Sequence, residues 1–173
     1  PLDQQAKMIM ELFPNAKKVG MLYCSAEANS VFQVNIVKKA LEENGIECQD
    51  FAFSDSNDVS AVTANACSWS DVIYIPTDNT AASCTETIRN VVEPAKVPVV
   101  AGEEGICKGC GVATLSISYY DLGYRTGEMA AEILGGADVS TMPIQYAPKF
   151  TKEYNAELCS ILGVVVPEDY VAI

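Results

Sequence analysis

Short apolar runs alternate with amphipathic stretches along the chain, and this alternation constrains the fold more than any other feature. Residues 18–23 hold Val-Gly-Met-Leu-Tyr, and polar residues 25–30 follow. Val31, Val34, Val37 and Leu41 then recur at helical spacing until Asn44-Gly45 stops them. The pattern repeats. Residues 46–53 read as a strand, Ser54 to Asn57 as a turn and cap, and Val59, Val62 and Ala66 as a helix face. Residues 71–76 read as a third strand. Thr77 to Thr80 cap one helix with Ala81, Cys84, Ile88 and Val91/Val92 inside, and residues 97–101 form a fourth strand. Such βα repeats make a parallel sheet covered on both faces. Right-handed crossovers then give an α/β, doubly wound, flavodoxin-like sandwich of three αβα layers.

The flanks are less regular. Residues 2–13 read as a helix with Leu2, Ala6, Ile9 and Leu12/Phe13 on one face, closed by Pro14-Asn15. Residues 102–111 read as a glycine-rich loop, and 112–117 as an extended run. A helix follows Asp121, with Leu122, Met129, Ala130 and Ile133 on one face, until Gly135-Gly136. Residues 138–150 read as irregular around one short strand at 144–147. Residues 153–162 read as a last helix, and the tail carries Pro167.

At 173 residues, 49% hydrophobic and 20% charged, the chain has enough apolar material for one domain with a real core. No apolar run reaches the roughly 18–20 residues that span a bilayer. A net charge of −12 repels phosphate backbones, so nucleic acid is not an expected partner. Histidine is absent, which removes Ser-His-Asp, Cys-His and histidine metal sites. The seven cysteines follow no disulfide framework and read as small hydrophobes carrying free thiols. Cys107-Lys108-Gly109-Cys110 is the exception. It offers a redox pair or half a zinc site, but no second pair follows, and it reads as an incidental loop pair open to oxidation. The chain begins at Pro1 with no basic segment or hydrophobic signal core, as expected of a processed or truncated product.

In doubly wound folds ligands bind where the strands end. The first strand is followed by Ser25, Glu27, Asn29 and Ser30, the third by Asp78 and Asn79, and the fourth by Glu103 and Glu104. Helix N-termini and neutral donors on this rim suit a carboxylate, and the acids suit an ammonium. A small zwitterion such as an amino acid satisfies both, and a polyol would also bond to this set. The same residue types serve as helix caps, so the ligand argument rests on their convergence. Enzyme readings fit poorly. The loop after Cys24 lacks the arginine of a thiol phosphatase, and neither G-x-G-x-x-G nor a P-loop lysine is present. No cofactor and no metal are expected.

Several segments carry a resemblance, in order along nearly the whole chain: Lys17-Lys18-Val19-Gly20-Met21-Leu22-Tyr23, Ser25-Ala26-Glu27-Ala28-Asn29-Ser30, Tyr74-Ile75-Pro76-Thr77-Asp78-Asn79-Thr80, Pro98-Val99-Val100-Ala101-Gly102-Glu103 and Ala113 to Gly123. They resemble the ABC-transporter substrate-binding proteins that include tryptophan- and other aromatic-amino-acid-binding lipoproteins. That resemblance implies a type I periplasmic-binding-protein fold, in which two α/β lobes joined by a hinge close on a ligand without turnover. Permease and ATPase partners, and an extracytoplasmic place as a cell-surface lipoprotein or in the periplasm, are implied with it. Residues 1–114 would belong to the second lobe. Residues 115–136 would be the hinge strand and a helix of the first lobe, and 137–173 would return to the second. Glu27, Asn29 and Ser30 match the first rim motif and Asp78 and Asn79 the third, with Asp78 expected to accept from the ammonium. Glu103 matches the fourth, and Tyr119 and Tyr120 lie at the hinge. Cys24 departs from the family's polar turn residue. The lone first-lobe helix would leave an apolar stripe uncovered, so the fragment is expected to form a homodimer. The alternative is the cytoplasmic effector domain of a transcription regulator, sensing a small molecule.

Overall fold

A computed structural model describes residues 2–147 and 149–173. Pro1, which opens the resemblance to a second lobe, and Pro148, inside the stretch read as irregular, lie outside the described residues. The chain runs α1 (Leu2–Leu12), β1 (Lys18–Cys24), α2 (Ala28–Glu42), β2 (Glu47–Phe53), α3 (Val59–Trp69), β3 (Val72–Ile75), α4 (Asn79–Ser83) and α5 (Thr85–Ala95). It continues with β4 (Val99–Ala101), α6 (Glu104–Cys110), β5 (Ala113–Ser116) and α7 (Tyr119–Leu134). A 3-10 turn (Val139–Thr141), β6 (Thr151–Tyr154), α8 (Ala156–Leu162) and β7 (Val171–Ala172) complete it.

The strands form one sheet in the order β2-β1-β3-β4-β5-β6-β7. The first five are mutually parallel, β6 runs antiparallel to β5, and β7 runs parallel to β6. The central strands are apolar throughout because both faces are covered. In β3, Val72 and Tyr74 join a core shared with Ile9, Val37 and Leu158, while Ile73 and Ile75 join one shared with Phe53, Ile88 and Ile106. This is the three-layer sandwich that the alternation of patterns requires.

The structure corrects six readings. Residues 104–110 are helical: the Glu103 side chain accepts from the N–H groups of Gly105 and Ile106 and caps α6. The helix after β3 is two helices, because Cys84 breaks it at φ −120°, ψ 19°. Residues 144–147 are not a strand. Residues 153 and 154 belong to β6, and the last helix starts at Ala156, capped by Asn155, whose Oδ1 accepts from Leu158 N–H at 3.1 Å. The tail pairs through β7. The Cys107/Cys110 pair lies on α6 rather than in a loop, and both thiols are buried and free, as is Cys24.

Candidate functional site

The carboxyl ends of β1, β3, β4 and β5 open onto a cleft of about 390 Å³. Its apolar wall is Leu2, Leu115, Ile117, Tyr119 and Phe150. Its polar floor is Gln5, Asn29, Gln33, Thr77, Glu103 and Ser116. Glu103 is the one charged residue lining it, among the described residues.

Three of the rim residues named from the sequence line the cleft: Asn29, Glu103 and Tyr119. Asn29 donates from Nδ2 to the Thr77 carbonyl at 2.9 Å. Glu103 spends one hydrogen bond per oxygen on the start of α6, which leaves lone pairs for a further donor. Burial, and then the Glu103 charge, push the Tyr119 phenol up, so its proton stays on and can be donated.

The other named residues do not line the cleft; several of them shape its rim. Glu27 reaches from the start of α2 to the start of α4. It accepts from Asn79 N–H and Nδ2, both at 3.0 Å, and from Thr80 N–H and hydroxyl, both at 2.8 Å. Burial would raise its pKa, but these hydrogen bonds outweigh it and hold the carboxyl at about 2. Asp78 is 1% exposed. Its oxygens accept from Cys24 N–H and Ala81 N–H, each at 2.8 Å, so the carboxylate fastens β1 to α4 and does not face the cleft. Asn79 is held by Glu27. Ser25 is exposed and bonds to the Phe53 carbonyl at 3.3 Å, at the end of β2. Ser30 is fully buried in α2, and its hydroxyl finds no partner among the described residues. Tyr120 is 80% exposed, stacked on Tyr124 with centroids 6.5 Å apart.

Two residues that the sequence reading missed complete the floor. Gln33 brackets the Thr77 peptide: its Oε1 accepts from Thr77 N–H at 3.1 Å, and its Nε2 donates to Thr77 O at 3.4 Å. Gln5 is 7% exposed on α1, and its Oε1 accepts from the Tyr74 hydroxyl. The one signal for Gln5 was a polar residue between Leu2 and Ile9 on a helix that packs on the sheet.

Fold and cleft together define one lobe of a periplasmic-binding-protein-like solute receptor. The sequence profile of the family described as ABC transporter substrate binding protein matches residues 1–172, and the chain belongs to that family. The tyrosine-binding protein of Clostridioides difficile (strain R20291) is 33% identical over 143 residues, which make up 83% of this chain and 41% of that protein. The ABC domain from Streptococcus pneumoniae solved in complex with L-Trp superposes with a TM-score of 0.90 at 30% identity, covering 100% of this chain and 62% of that one. A ligand-free, open substrate binding protein with adhesive properties from Clostridium difficile superposes at 0.81 with 32% identity, over 99% and 59%. The chain thus spans less than two thirds of each of these relatives.

Proposed function

We propose that the chain is the second lobe of an extracytoplasmic receptor that binds an aromatic amino acid and delivers it, unchanged, to an ABC permease and its ATPase. One observation carries this reading. The cleft combines an apolar wall, one carboxylate and neutral polar side chains, with no Lys or Arg lining it among the described residues. That set takes an ammonium at Glu103, a carboxylate at neutral hydrogen-bond donors, and an apolar side chain against Leu115, Ile117, Tyr119 and Phe150. The L-Trp and tyrosine in the descriptions of two relatives fit the same chemistry. On this reading residues 1–114 and 137–173 build the lobe, and 115–136 carry the hinge strand and a helix that packs on the first lobe. The regulator alternative draws no support from the family to which the chain belongs.

Thermal shift of the two-lobed receptor tests this. Ligand at a hundredfold excess over Kd adds about 2.7 kcal/mol of stability. Shifts are expected with tryptophan or tyrosine, and weaker ones with the other amino acids. A shift with sugars or nucleosides but with no amino acid would overturn the zwitterion reading.

A further inference from the structure

Three carboxamides line the cleft, and counting their hydrogens separates one from the others. Asn29 Nδ2 donates to Thr77 O at 2.9 Å and to Glu27 Oε2 at 3.5 Å, so both hydrogens are used. Gln33 Nε2 donates to Asn29 O at 3.2 Å and to Thr77 O at 3.4 Å, so both are used again. Gln5 Nε2 has a single acceptor among the described residues, the Gly102 carbonyl, at 3.5 Å. That carbonyl already accepts from the Thr77 hydroxyl at 3.2 Å.

The Gln5 amide has no choice of orientation. A carbonyl can only accept, so the nitrogen faces Gly102. The oxygen faces the hydroxyl of Tyr74, which is fully buried and would otherwise lack a partner. The amide is therefore held in one orientation, with one N–H unused in a floor whose one charged residue, among the described residues, is Glu103. An unused donor on a side chain this buried is costly unless a ligand or water takes it.

We propose that Gln5 is a specificity residue of the cleft: its spare Nε2–H donates to the carboxylate of the bound amino acid, and the Tyr74 hydroxyl holds it in that orientation. This rests on the amino-acid reading above and deepens it. The ligand then lies with its carboxylate toward α1 and its ammonium toward Glu103, at the start of α6.

The test uses the two-lobed receptor, L-tryptophan and L-tyrosine, and the matching amines that lack the carboxylate, tryptamine and tyramine. Calorimetric Kd values are compared for wild type, Gln5→Glu and Gln5→Met. Removing a hydrogen bond to a charged group costs about tenfold to a hundredfold in affinity. Both variants are expected to lose that factor for the amino acids and to leave the amines unweakened. Gln5→Glu is expected to show the larger loss, because it sets one anion against another. Should Gln5→Met lose stability through the orphaned Tyr74 hydroxyl, Gln5→Met with Tyr74→Phe removes both partners and gives the same comparison. Equal losses for amino acid and amine, or no loss for either, would overturn the inference and leave the function standing. A wild-type receptor that binds no amino acid would overturn both.

Discussion

Glu27 shows how a residue chosen as a ligand contact can govern the site from outside it. Two of its four short hydrogen bonds satisfy backbone N–H groups that open α4, a helix of five residues too short to hold itself, and the other two hold the Asn79 and Thr80 side chains. Together with Asp78 it fixes the loop on which Thr77 enters the cleft. The carboxyl sits at about 2 in the folded chain, below the roughly 4.3 of an unfolded glutamate. Its contribution to stability is therefore complete above about pH 4.3 and is lost as pH falls toward about 2. Glu27→Gln puts an amide nitrogen where one accepting oxygen stood. It is expected to cost about 1–2 kcal/mol at neutral pH. Urea midpoints for both proteins measure this across the acid range. The gap between them should close as pH drops through that window, and a constant gap would mean that the ionised form carries nothing special. In sequence, a carboxylate that caps and one that meets a ligand look alike, since both stand between a strand and a helix. All three cap or brace a helix start, and only Glu103 also lines the cleft.

At the scale of elements, the cleft depends on how closely the β3 and β4 ends approach one another. A Cβ added at Gly102 would lie 2.6 Å from both the Pro76 carbonyl carbon and the Thr77 nitrogen, and backbone cannot step aside as a flexible side chain can. Gly102→Ala should cost about 1–3 kcal/mol. It should also weaken amino-acid binding, because the Thr77 peptide held by Gln33 must move. Melting temperature and calorimetry read the two effects, and full affinity in a destabilised variant would show that the floor tolerates the shift. The parallel strands were legible because burial on both faces writes an apolar run such as Val-Ile-Tyr-Ile directly into the sequence. Helix α6 was hidden by Gly105 and Gly109, which weaken any helical signal, although Glu103 holds its first turn together. Strand β6 was hidden because Thr-Lys-Glu-Tyr has no apolar run, and its partner strand lies across the whole of α7 in the chain. Asn29, Glu103 and Tyr119 could be found because they follow strand ends. Gln5 could not, because α1 precedes the first strand and reaches the cleft only through tertiary packing, and Gln33 could not, because it lies one helical turn beyond Asn29 on α2, past the residues that a strand end marks.

For the molecule as a whole, α7 is the α-helix that the core does not claim. None of its 16 residues is buried. Tyr124 is exposed, Leu134 is 89% exposed, and a groove of about 510 Å³ runs between Leu122 and Met129 on one side and Ile144 and Tyr146 on the other. No residue of this helix joins either core cluster, and Ile144 and Tyr146 across the groove are themselves exposed, so its stability needs a surface from elsewhere. In the proposed receptor the first lobe supplies that surface. Expressed as residues 1–173 alone, the chain must leave the groove in water or cover it with a second copy. We therefore expect this chain to self-associate, with dimers prevailing at roughly tens of micromolar, a range that modest apolar burial can reach. Sedimentation velocity across a dilution series measures this directly. Met129→Glu, placed in the groove and away from the cleft, should return the chain to monomer without altering the melting of its core. A wild-type chain that stays monomeric throughout the series would show that α7 stands in solvent unaided, and the argument from its uncovered face would fail.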